Sequence, residues 1–297
     1  MSFDLSKTVE RMKELFKKDE KRADQFGLGD SLEKVSSNPS DYIVLPEWWK
    51  THFGIIGIPF GKWIQLSGKP DSGKTTTCLE AIKQAQLQNH IVIYVETEGK
   101  TTPEDLITYG IDPNGVMTIC TNITEELWEN VNTALDVIKD TYPDAKVLLV
   151  IDSYGNTTSM RDSEMKFTES SGMVGGQAKT NRAGIQSIVA KQLQQDIAVL
   201  VVNYSYANIG SVGETNAGGR ALEFIAALII NCSRVSDYTK TVKGKTVKAG
   251  INTRFRVTKN HFAKALKDEE GKAILLPKDC NLRITSEGIS VVESKGE

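Results

Sequence analysis

A glycine-rich phosphate-binding motif constrains the fold of this chain more than any other feature of its sequence. Residues 68–75 read Gly-Lys-Pro-Asp-Ser-Gly-Lys-Thr, a complete G-x-x-x-x-G-K-T motif. The motif follows an apolar run and opens a helical pattern, which is the strand–loop–helix context that it requires. Such a loop turns backbone N–H groups toward a phosphate at a helix N-terminus. We therefore predict a nucleoside triphosphate site made by Gly68, Lys69, Pro70, Asp71, Ser72, Gly73, Lys74, Thr75 and Thr76.

A second motif predicts a magnesium ion at the same site. Residues 147–152 form an apolar run that ends in Asp152, as expected for a central strand with a carboxylate at its tip. In this class of site the motif lysine, here Lys74, contacts the β- and γ-phosphates. The hydroxyl of Thr75 binds Mg²⁺, and Asp152 orients a water on that ion.

Two carboxylates at the end of another apolar run are candidates for the hydrolytic step. Residues 94–98 read Tyr-Val-Glu-Thr-Glu, so Glu96 and Glu98 lie two residues apart and can point to the same side of a strand. A carboxylate near the γ-phosphate can hold and polarise the attacking water. We assign this role to Glu98, with Glu96 as the alternative. The competing interpretation is a solvated strand end.

Short apolar runs alternate with longer helical stretches from residue 63 onward. Strands are predicted at residues 63–67, 91–96, 147–152, 198–203, 228–232 and 253–257, and helices at 75–87, 125–140 and 178–195. The first four strands are nearly continuous runs of Val, Ile and Leu, which is typical of strands buried on both faces of a parallel sheet. The alternation predicts a doubly wound α/β fold. Near the C-terminus the pattern changes to hairpins, with Lys243-Gly244-Lys245 as a turn.

Composition excludes several classes of protein. Hydrophobic residues make up 39% and charged residues 25% of the 297, which excludes disorder throughout. The formal net charge is only −2, so any nucleic-acid site must come from local clusters of basic residues. The four scattered cysteines favour reduced thiols over a zinc site or disulfides. With no apolar run near the roughly 18 residues of a membrane span and no secretory signal, we expect a soluble, intracellular protein.

An amphipathic helix is predicted at the N-terminus. Leu5, Val9, Met12, Leu15 and Phe16 recur at helical spacing with charged residues between them. Turn-forming residues up to residue 40 separate this helix from the rest. We predict an N-terminal oligomerisation helix and linker at residues 1–40 and a second domain at residues 41–297. The apolar stripe could fold back on its own domain or dock on a neighbouring subunit.

These features, in this order, resemble the RecA/Rad-type strand-exchange recombinases over nearly the whole chain. Residues 25–29 (Gln-Phe-Gly-Leu-Gly) are similar to the family's linker after its polymerisation helix, and residues 59–62 (Pro-Phe-Gly-Lys) to the start of its core. Residues 218–224 (Gly-Gly-Arg-Ala-Leu-Glu-Phe) resemble the end of its second DNA-binding loop. Residues 257–261 (Val-Thr-Lys-Asn-His) resemble the basic strand that caps the nucleotide of the adjacent subunit. The runs Asp-Ser-Tyr-Gly-Asn from residue 152 and Asn-Tyr-Ser-Tyr from residue 203 look most like the phage UvsX branch.

The resemblance implies a RecA-type P-loop ATPase core with a mostly parallel central sheet and C-terminal hairpins, preceded by an N-terminal polymerisation helix. It implies an ATP- and Mg²⁺-dependent recombinase that forms a helical filament on single-stranded DNA and pairs it with homologous duplex DNA. ATP would lie between subunits, with Lys259 and His261 supplied by the neighbour and Tyr204 at the γ-phosphate sensor position. A single-strand-binding protein and a loader would be further partners. The location would be the cytoplasm, that of the host if the chain is phage-encoded.

The resemblance also assigns DNA-binding residues. Residues 160–177 and 205–219, both rich in Gly, Ser, Asn and Thr, correspond to the first and second DNA loops. From the residues alone they are two mobile surface loops. Phosphate contacts would come from Gly218, Gly219, Arg220, Lys179 and Arg182.

A basic run on the C-terminal hairpins is a second candidate DNA surface. Its members are Arg234, Lys240, Lys243, Lys245, Lys248, Arg254 and Arg256. By itself such a run is typical of a solvated face. Arg254 and Arg256 alternate along one strand and so share a face, and they match the family's secondary DNA site.

Three residues depart from the family pattern. The family typically has an aromatic residue two positions after the proline of its adenine loop, where this chain has Asp105 after Pro103. The sensor, often Gln or His, is Tyr204, and the second cation of the capping strand, usually Lys, is His261. Because Asp105 replaces the aromatic residue of the adenine loop, adenine must be recognised by other residues.

Other classes of function share the phosphate site. A ring-forming RecA-fold motor, such as a helicase, has both nucleotide motifs, but the N-terminal helix, its linker and the Gly218-Gly219 pair favour a filament. A DNA-coating protein with vestigial hydrolysis is the second alternative, against which Glu98 and Asp152 predict turnover. A small-molecule P-loop kinase ranks third, because no acceptor site can be identified.

Overall fold

A computed structural model of the protein describes residues 6–15, 17, 38–164, 176–207, 214–217, 219–263, 272 and 274–292. The chain divides into two compact units, residues 1–37 and residues 38–297. In the first unit, helix α1 spans Ser6–Leu15, and none of these ten residues is buried. Val9, Met12 and Leu15 of the predicted stripe lie on this helix, and Leu15 is exposed. Leu5, Phe16 and the 25–29 linker lie outside the described residues.

The second unit contains thirteen strands in its described residues. They are β1 (Tyr42–Val44), β2 (Gly57–Pro59), β3 (Trp63–Gly68), β4 (Ile91–Glu96), β5 (Val116–Cys120), β6 (Val147–Asp152), β7 (Ile197–Asn203), β8 (Ser205–Ala207), β9 (Glu214–Asn216), β10 (Leu228–Val242), β11 (Lys245–Asn260), β12 (Asp279–Thr285) and β13 (Gly288–Val291). Nine of them form one sheet in the order β13-β12-β11-β10-β3-β7-β6-β4-β5. From β10 to β5 neighbouring strands are parallel, and β11, β12 and β13 continue the sheet antiparallel. The predicted α/β fold with a mostly parallel central sheet is confirmed.

Helices cover both faces of this sheet. Within the described part of the unit they are α2 (Trp48–Phe53), α3 (Lys74–Leu87), α4 (Pro103–Thr108), α5 (Thr124–Thr141), α6 (Met160–Glu164), α7 (Gly176–Gln192) and α8 (Ala221–Ile225). Ile64 of β3 lies in one core with Ile82 of α3, whereas the preceding residue, Trp63, lies in a second core with Leu127 of α5 and Ile188 of α7. Alternate residues of one strand thus enter different cores, because the sheet is buried on both sides.

The central strands agree with the sequence pattern to within one residue. Strands β3, β6 and β7 are buried throughout, which is why their sequences show continuous apolar runs. Strand β5 (Val-Met-Thr-Ile-Cys) is absent from the predicted strands, and in the structure it lies at the edge of the sheet with Val116 as its one buried residue. No helix among the described residues is long and apolar enough to cross a membrane.

The C-terminal hairpin is far longer than predicted. The apolar segments at 228–232 and 253–257 are the inner ends of β10 and β11, which have 15 and 16 residues. Beyond Cys232 the residues of β10 are polar or exposed, so apolar patterning does not reveal them. The predicted turn is confirmed: Lys243 and Gly244 have φ of 50° and 76°, and two positive φ values are typical of a type I′ hairpin turn.

Candidate functional site

The phosphate loop connects the end of β3 to the start of α3 and is enclosed by neighbouring strands. Gly68 has a φ of +143°, and a Cβ there would lie 2.1 Å from the carbonyl oxygen of Cys232 on β10. Gly73 has a φ of +90°, and its Cβ would lie 2.1 Å from Cδ1 of Ile284 on β12. Gly68 is therefore required for backbone conformation and for close approach to a backbone oxygen, and Gly73 for backbone conformation.

A cavity of about 420 Å³ opens over this loop. Its lining includes seven of the nine residues predicted for the loop, Pro70, Asp71, Ser72, Gly73, Lys74, Thr75 and Thr76, together with Glu96, Glu98, Asp152 and Tyr204. The remaining two predicted residues, Gly68 and Lys69, contact the site through their carbonyl oxygens, which accept hydrogen bonds from Lys74. The structure thus brings together the side chains on which the nucleotide prediction rests.

Lys74 is buried at the N-terminus of α3 and turned back over the loop. Its ammonium donates to the carbonyl oxygens of Gly68 (3.0 Å) and Lys69 (2.7 Å) and lies 5.1 Å from the centroid of the Tyr204 ring. Burial lowers the pKa of this ammonium, although nearby Asp152 and Glu98 oppose the effect. The loop therefore holds a partly desolvated cation at its centre.

Asp152 and Thr75 meet at the floor of the cavity. Burial raises the pKa of the Asp152 carboxyl to about 6, while a hydrogen bond with the Thr75 side chain opposes that rise. A hydroxyl and a carboxylate are hard oxygen ligands of the kind that Mg²⁺ prefers, and Mg²⁺ characteristically binds few protein groups and keeps several waters. This donor set fits the magnesium ion that the sequence predicts.

The two glutamates after β4 have different partners. The Glu96 carboxylate is buried and accepts hydrogen bonds from the backbone N–H groups of Glu98 (3.2 Å), Gly99 and Lys100 (3.1 Å). Glu98 instead accepts side-chain hydrogen bonds from Lys100, Tyr204 and Ser153. Glu96 therefore shapes the loop, and Glu98 faces the polar groups of the cavity.

The pKa of Glu98 lies below its ordinary value. Burial alone would raise the pKa, but the hydrogen bonds from Lys100, Tyr204 and Ser153 favour the ionised form and outweigh burial. Glu98 is consequently a carboxylate at neutral pH. Burial and the Glu98 charge both raise the pKa of Tyr204, which therefore remains a hydrogen-bond donor.

Tyr204 also joins the cavity to the segment predicted as the second DNA loop. The Asn203 side chain accepts from the Tyr204 N–H (2.9 Å) and donates to the Ala217 carbonyl oxygen (3.1 Å), and the Ala217 N–H donates to the Tyr204 carbonyl oxygen (3.0 Å). Strands β8 and β9 pair between these residues, where the sequence predicts only a mobile loop. The described ends of this segment are thus tied to the residue that contacts Glu98.

Two predicted nucleotide residues lie away from this cavity. Lys259 donates from Nζ to the carbonyl oxygens of Glu223 (2.7 Å) and Phe224 (3.1 Å) in α8, and His261 is exposed, with its backbone N–H bonded to Ala227. Neither belongs to the cavity lining of its own chain. Their assignment to the neighbour's nucleotide stays a prediction.

Asp105 has a local structural role. Its carboxylate accepts from the N–H (2.9 Å) and the hydroxyl (2.8 Å) of Thr102, and its own N–H donates to that hydroxyl (3.2 Å), so the two residues form a capping box at the start of α4. The position that is usually aromatic in the family is thus used to begin a helix.

Sequence patterns missed several residues of the cavity. These are Lys100, Thr101, Val202, Arg234, Lys248 and Ile251. Lys100 could have been found from its place beside Glu98 in the chain. Arg234 and Lys248 could not have been assigned to the cavity from the sequence, because the apolar pattern does not show where β10 and β11 pass the phosphate loop.

The predicted DNA-binding side chains are exposed on two neighbouring helices. Arg182 of α7 and Arg220, which directly precedes α8, line one cavity of about 650 Å³, and Lys179 is exposed one turn earlier on α7. Gly219 is exposed with a φ of +87°, and Gly218 lies outside the described residues. The structure thus brings Arg182 and Arg220 together.

Arg254 and Arg256 are both exposed on β11, but their partners differ. Arg256 forms a two-point ion pair with Asp279 of β12 (2.7 and 3.0 Å). Arg254 is opposite Ser233 on one side and Asn281 on the other, neither of which is charged. Arg254 is the more available of the two for a phosphate.

Comparison with known proteins gives consistent matches to one family. A sequence model of the RecA N-terminal domain family matches residues 20–277. The protein RecA of Frankia casuarinae is 28% identical over 261 residues, which cover 83% of this chain and 70% of that protein. Those of Clavibacter michiganensis subsp. michiganensis and Streptomyces rimosus are 27% and 29% identical, each over 83% of this chain and over 66% and 64% of their own lengths. The chain thus spans about two thirds of the length of these relatives.

Proposed function

The chain belongs to the RecA N-terminal domain family, and on that premise we propose that it is a DNA-dependent ATPase that assembles on single-stranded DNA and promotes homologous pairing in recombination and repair. The observation that carries the proposal is the cavity in which the phosphate loop, Asp152 and the ionised Glu98 meet. Its acidic and basic side chains suit binding and hydrolysis of a nucleoside triphosphate with magnesium.

Each residue has a distinct part in the proposed hydrolysis. Lys74 and the loop N–H groups bind the phosphates, and Thr75 and Asp152 hold Mg²⁺, which neutralises negative charge on the phosphate oxygens when bound. Glu98 accepts a hydrogen bond from the attacking water and orients it. As the new O–P bond forms and the bond from the γ-phosphorus to the bridging oxygen breaks, the water proton passes toward Glu98.

The DNA side of the proposal depends on local charge. Because the net charge of the chain is −2, affinity for DNA must come from clusters such as Arg182 and Arg220. A helical filament would repeat this cluster along the strand. It would also bring Lys259 of one subunit to the nucleotide of the next, in line with the family resemblance.

Electron microscopy and a phosphate-release assay test the proposal together. With single-stranded DNA and a non-hydrolysable ATP analogue we expect helical filaments, and with ATP we expect phosphate release that DNA stimulates. Closed rings would instead identify a helicase-like motor. Filaments without DNA-stimulated turnover would identify a coating protein with vestigial hydrolysis.

A further inference from the structure

Two basic side chains of the long β10–β11 hairpin line the phosphate cavity. They are Arg234 of β10 and Lys248 of β11. In the sequence both belong to a basic run that includes Arg254 and Arg256, so charge alone does not separate them from a DNA-binding face. The register of the hairpin separates them, because it shows which face of the sheet each side chain occupies.

The inner end of the hairpin is fixed against the phosphate loop. Cys232 pairs with Gly68 of β3, and the Thr253 hydroxyl lies within hydrogen-bond distance of the carbonyl oxygens of Ser72 (2.9 Å) and Ser233 (3.0 Å). Arg234 is directly opposite Thr253 in the register. Because directly paired residues point to the same face of a sheet, Arg234 shares the face on which Thr253 meets the loop.

A bulge moves Lys248 to the same face. Tyr238 pairs with Gly250, and the next residue, Thr239, pairs with Lys248, so Ala249 is left unpaired. An extra residue reverses the alternation of side chains beyond it. Lys248 therefore faces the cavity with Ile251, although it is an even number of residues from Arg254, which faces the other way.

One acidic residue holds both cations without neutralising them. Arg234 donates to Oδ1 of Asp237, and Lys248 Nζ lies 3.1 Å from the same oxygen. A guanidinium has five N–H donors and an ammonium three, so one oxygen engages only part of each. The group of Arg234, Asp237 and Lys248 keeps a net charge of +1 at the cavity.

The charge of the cavity shows why these cations matter. Its lining contains four acidic side chains, Asp71, Glu96, Glu98 and Asp152, and only two basic ones, Lys74 and Lys100, besides Arg234 and Lys248. Without the hairpin, acids would outnumber bases two to one around a site for a highly anionic ligand. With Asp237 counted, the hairpin adds one net positive charge to this surplus of acids.

We propose that Arg234 and Lys248 bind the phosphates of the nucleotide held by the phosphate loop of the same subunit. This inference rests on the proposed ATPase function and deepens it. It assigns to the hairpin a contact made within one chain, distinct from the contact of Lys259 with a neighbour. It also divides the basic run of the sequence between two ligands, with nucleotide on one face and DNA on the other.

Nucleotide affinity measured without DNA tests the inference. The probe is a fluorescent mant derivative of a non-hydrolysable ATP analogue with Mg²⁺, titrated against the full-length chain. Arg234→Ala and Lys248→Ala should each raise its Kd about three- to tenfold, the range expected for one partly exposed charge-assisted contact. The salt dependence of single-stranded DNA binding should be unchanged. Arg234→Gln serves as the second variant if the melting temperature of Arg234→Ala is lowered.

Two controls separate the possible outcomes. Lys245→Ala, at the outer end of the same hairpin, should leave the nucleotide Kd within about twofold of the wild-type value. Lys74→Ala should weaken binding more than either hairpin variant. If only Lys74→Ala weakens binding, the inference is wrong and the proposed function stands. If Lys74→Ala has no effect either, both are wrong. A loss of DNA affinity without a change in nucleotide Kd would also overturn the inference.

Discussion

The hydroxyl of Tyr204 donates a hydrogen bond to the carboxylate of Glu98, and Ser153 Oγ donates to the same oxygen at 3.1 Å. This contact joins the residue proposed to orient the attacking water to the residue at the base of the β8–β9 segment. Together with Lys100, both donors lower the pKa of Glu98, because they stabilise its charged form.

Replacing Glu98 by glutamine should abolish most hydrolysis while preserving binding. The amide keeps the shape of the side chain but accepts no proton, and general-base catalysis contributes about 10²–10⁴-fold to the rate. We expect kcat for DNA-stimulated phosphate release to fall by about that factor, with nucleotide Kd little changed.

Glu96→Gln is the matched comparison. Glu96 holds the backbone of residues 98–100, so its replacement should lower the melting temperature more than Glu98→Gln does. Wild-type turnover in Glu98→Gln would assign the reaction to Glu96 instead.

Removing the Tyr204 hydroxyl should raise the pKa of Glu98. Burial already favours the neutral acid, and Tyr204→Phe removes one of the three hydrogen bonds that oppose burial. Protonation should therefore occur at a higher pH than in the wild-type protein. A carbon-13 NMR titration of the glutamate carboxyls measures the shift, with Glu98→Gln used to identify the signal. Ser153→Ala should move it in the same direction, and an unchanged Glu98 pKa in both variants would contradict the assignment.

Asp152→Asn should stabilise the protein at neutral pH. The folded-state pKa of Asp152 is about 6, above the ordinary aspartate value near 4, so the native state binds the extra proton between these values. The free energy of unfolding therefore falls as pH rises from about 4 to about 6. At pH 7.5 the free energy of unfolding of Asp152→Asn should exceed that of the wild-type protein by about 3 kcal/mol. At pH 4.5 the difference should be only about 1 kcal/mol.

Urea unfolding at the two pH values, without nucleotide or magnesium, measures this difference. Asp136→Asn is the control, because Asp136 is exposed and paired with Lys191. An equal gain at both pH values would show that the Asp152 charge is not the cause.

The paired variant Arg182→Ala with Arg220→Ala should weaken single-stranded DNA binding for all sequences alike. Removing one phosphate contact lowers the log–log salt slope by about 0.7 for single strands, so a reduction of about 1.4 is expected. Fluorescence anisotropy between about 50 and about 200 mM salt measures it. An unchanged salt slope would show that Arg182 and Arg220 are not part of the DNA site.

Arg254→Ala should leave single-stranded DNA binding unchanged and impair strand exchange. Arg256→Ala should impair strand exchange less, because Arg256 is already paired with Asp279.

Deleting residues 1–37 should abolish filaments and leave a folded ATP-binding unit. The deletion ends where the first compact unit ends, and α1 has no buried residue whose removal would open a core. We expect a melting temperature within a few degrees of the full chain and loss of DNA-stimulated hydrolysis, since Lys259 must arrive from a neighbour. Size-exclusion chromatography and microscopy on DNA measure both. Val9→Glu with Met12→Glu is the milder variant, and filaments formed by either protein would assign the helix to another role.

The parts of the fold that could be predicted are those in which burial is uniform. Strands β3, β6 and β7 have nearly continuous apolar runs because both of their faces are covered. The phosphate loop could be recognised because its residues are adjacent in the chain. Asp152 could be placed because it is the last residue of a buried strand.

The parts that could not be predicted depend on register and on side-chain partners. Ala249 is unpaired in the hairpin, and this one residue decides that Lys248 faces the cavity. The different partners of Glu96 and Glu98 depend on how residues 98–100 turn after β4, which no pattern of apolar residues specifies. Sequence spacing alone therefore leaves Glu96 and Glu98 as alternatives.

The glycines of the phosphate loop have a consequence for how the motif is maintained. A Cβ at position 68 would lie 2.1 Å from the backbone carbonyl oxygen of Cys232, and position 73 has a φ of +90°, so both glycines are required by the folded chain itself. Lys74 is the opposite case: its burial lowers its pKa, and at neutral pH the charged form makes folding less favourable. The glycines thus serve the fold, whereas the burial of the lysine charge opposes it. Adjacent residues of the G-x-x-x-x-G-K-T motif therefore meet different demands: Gly73 satisfies the backbone, and Lys74 places a buried positive charge where an anionic ligand would compensate it.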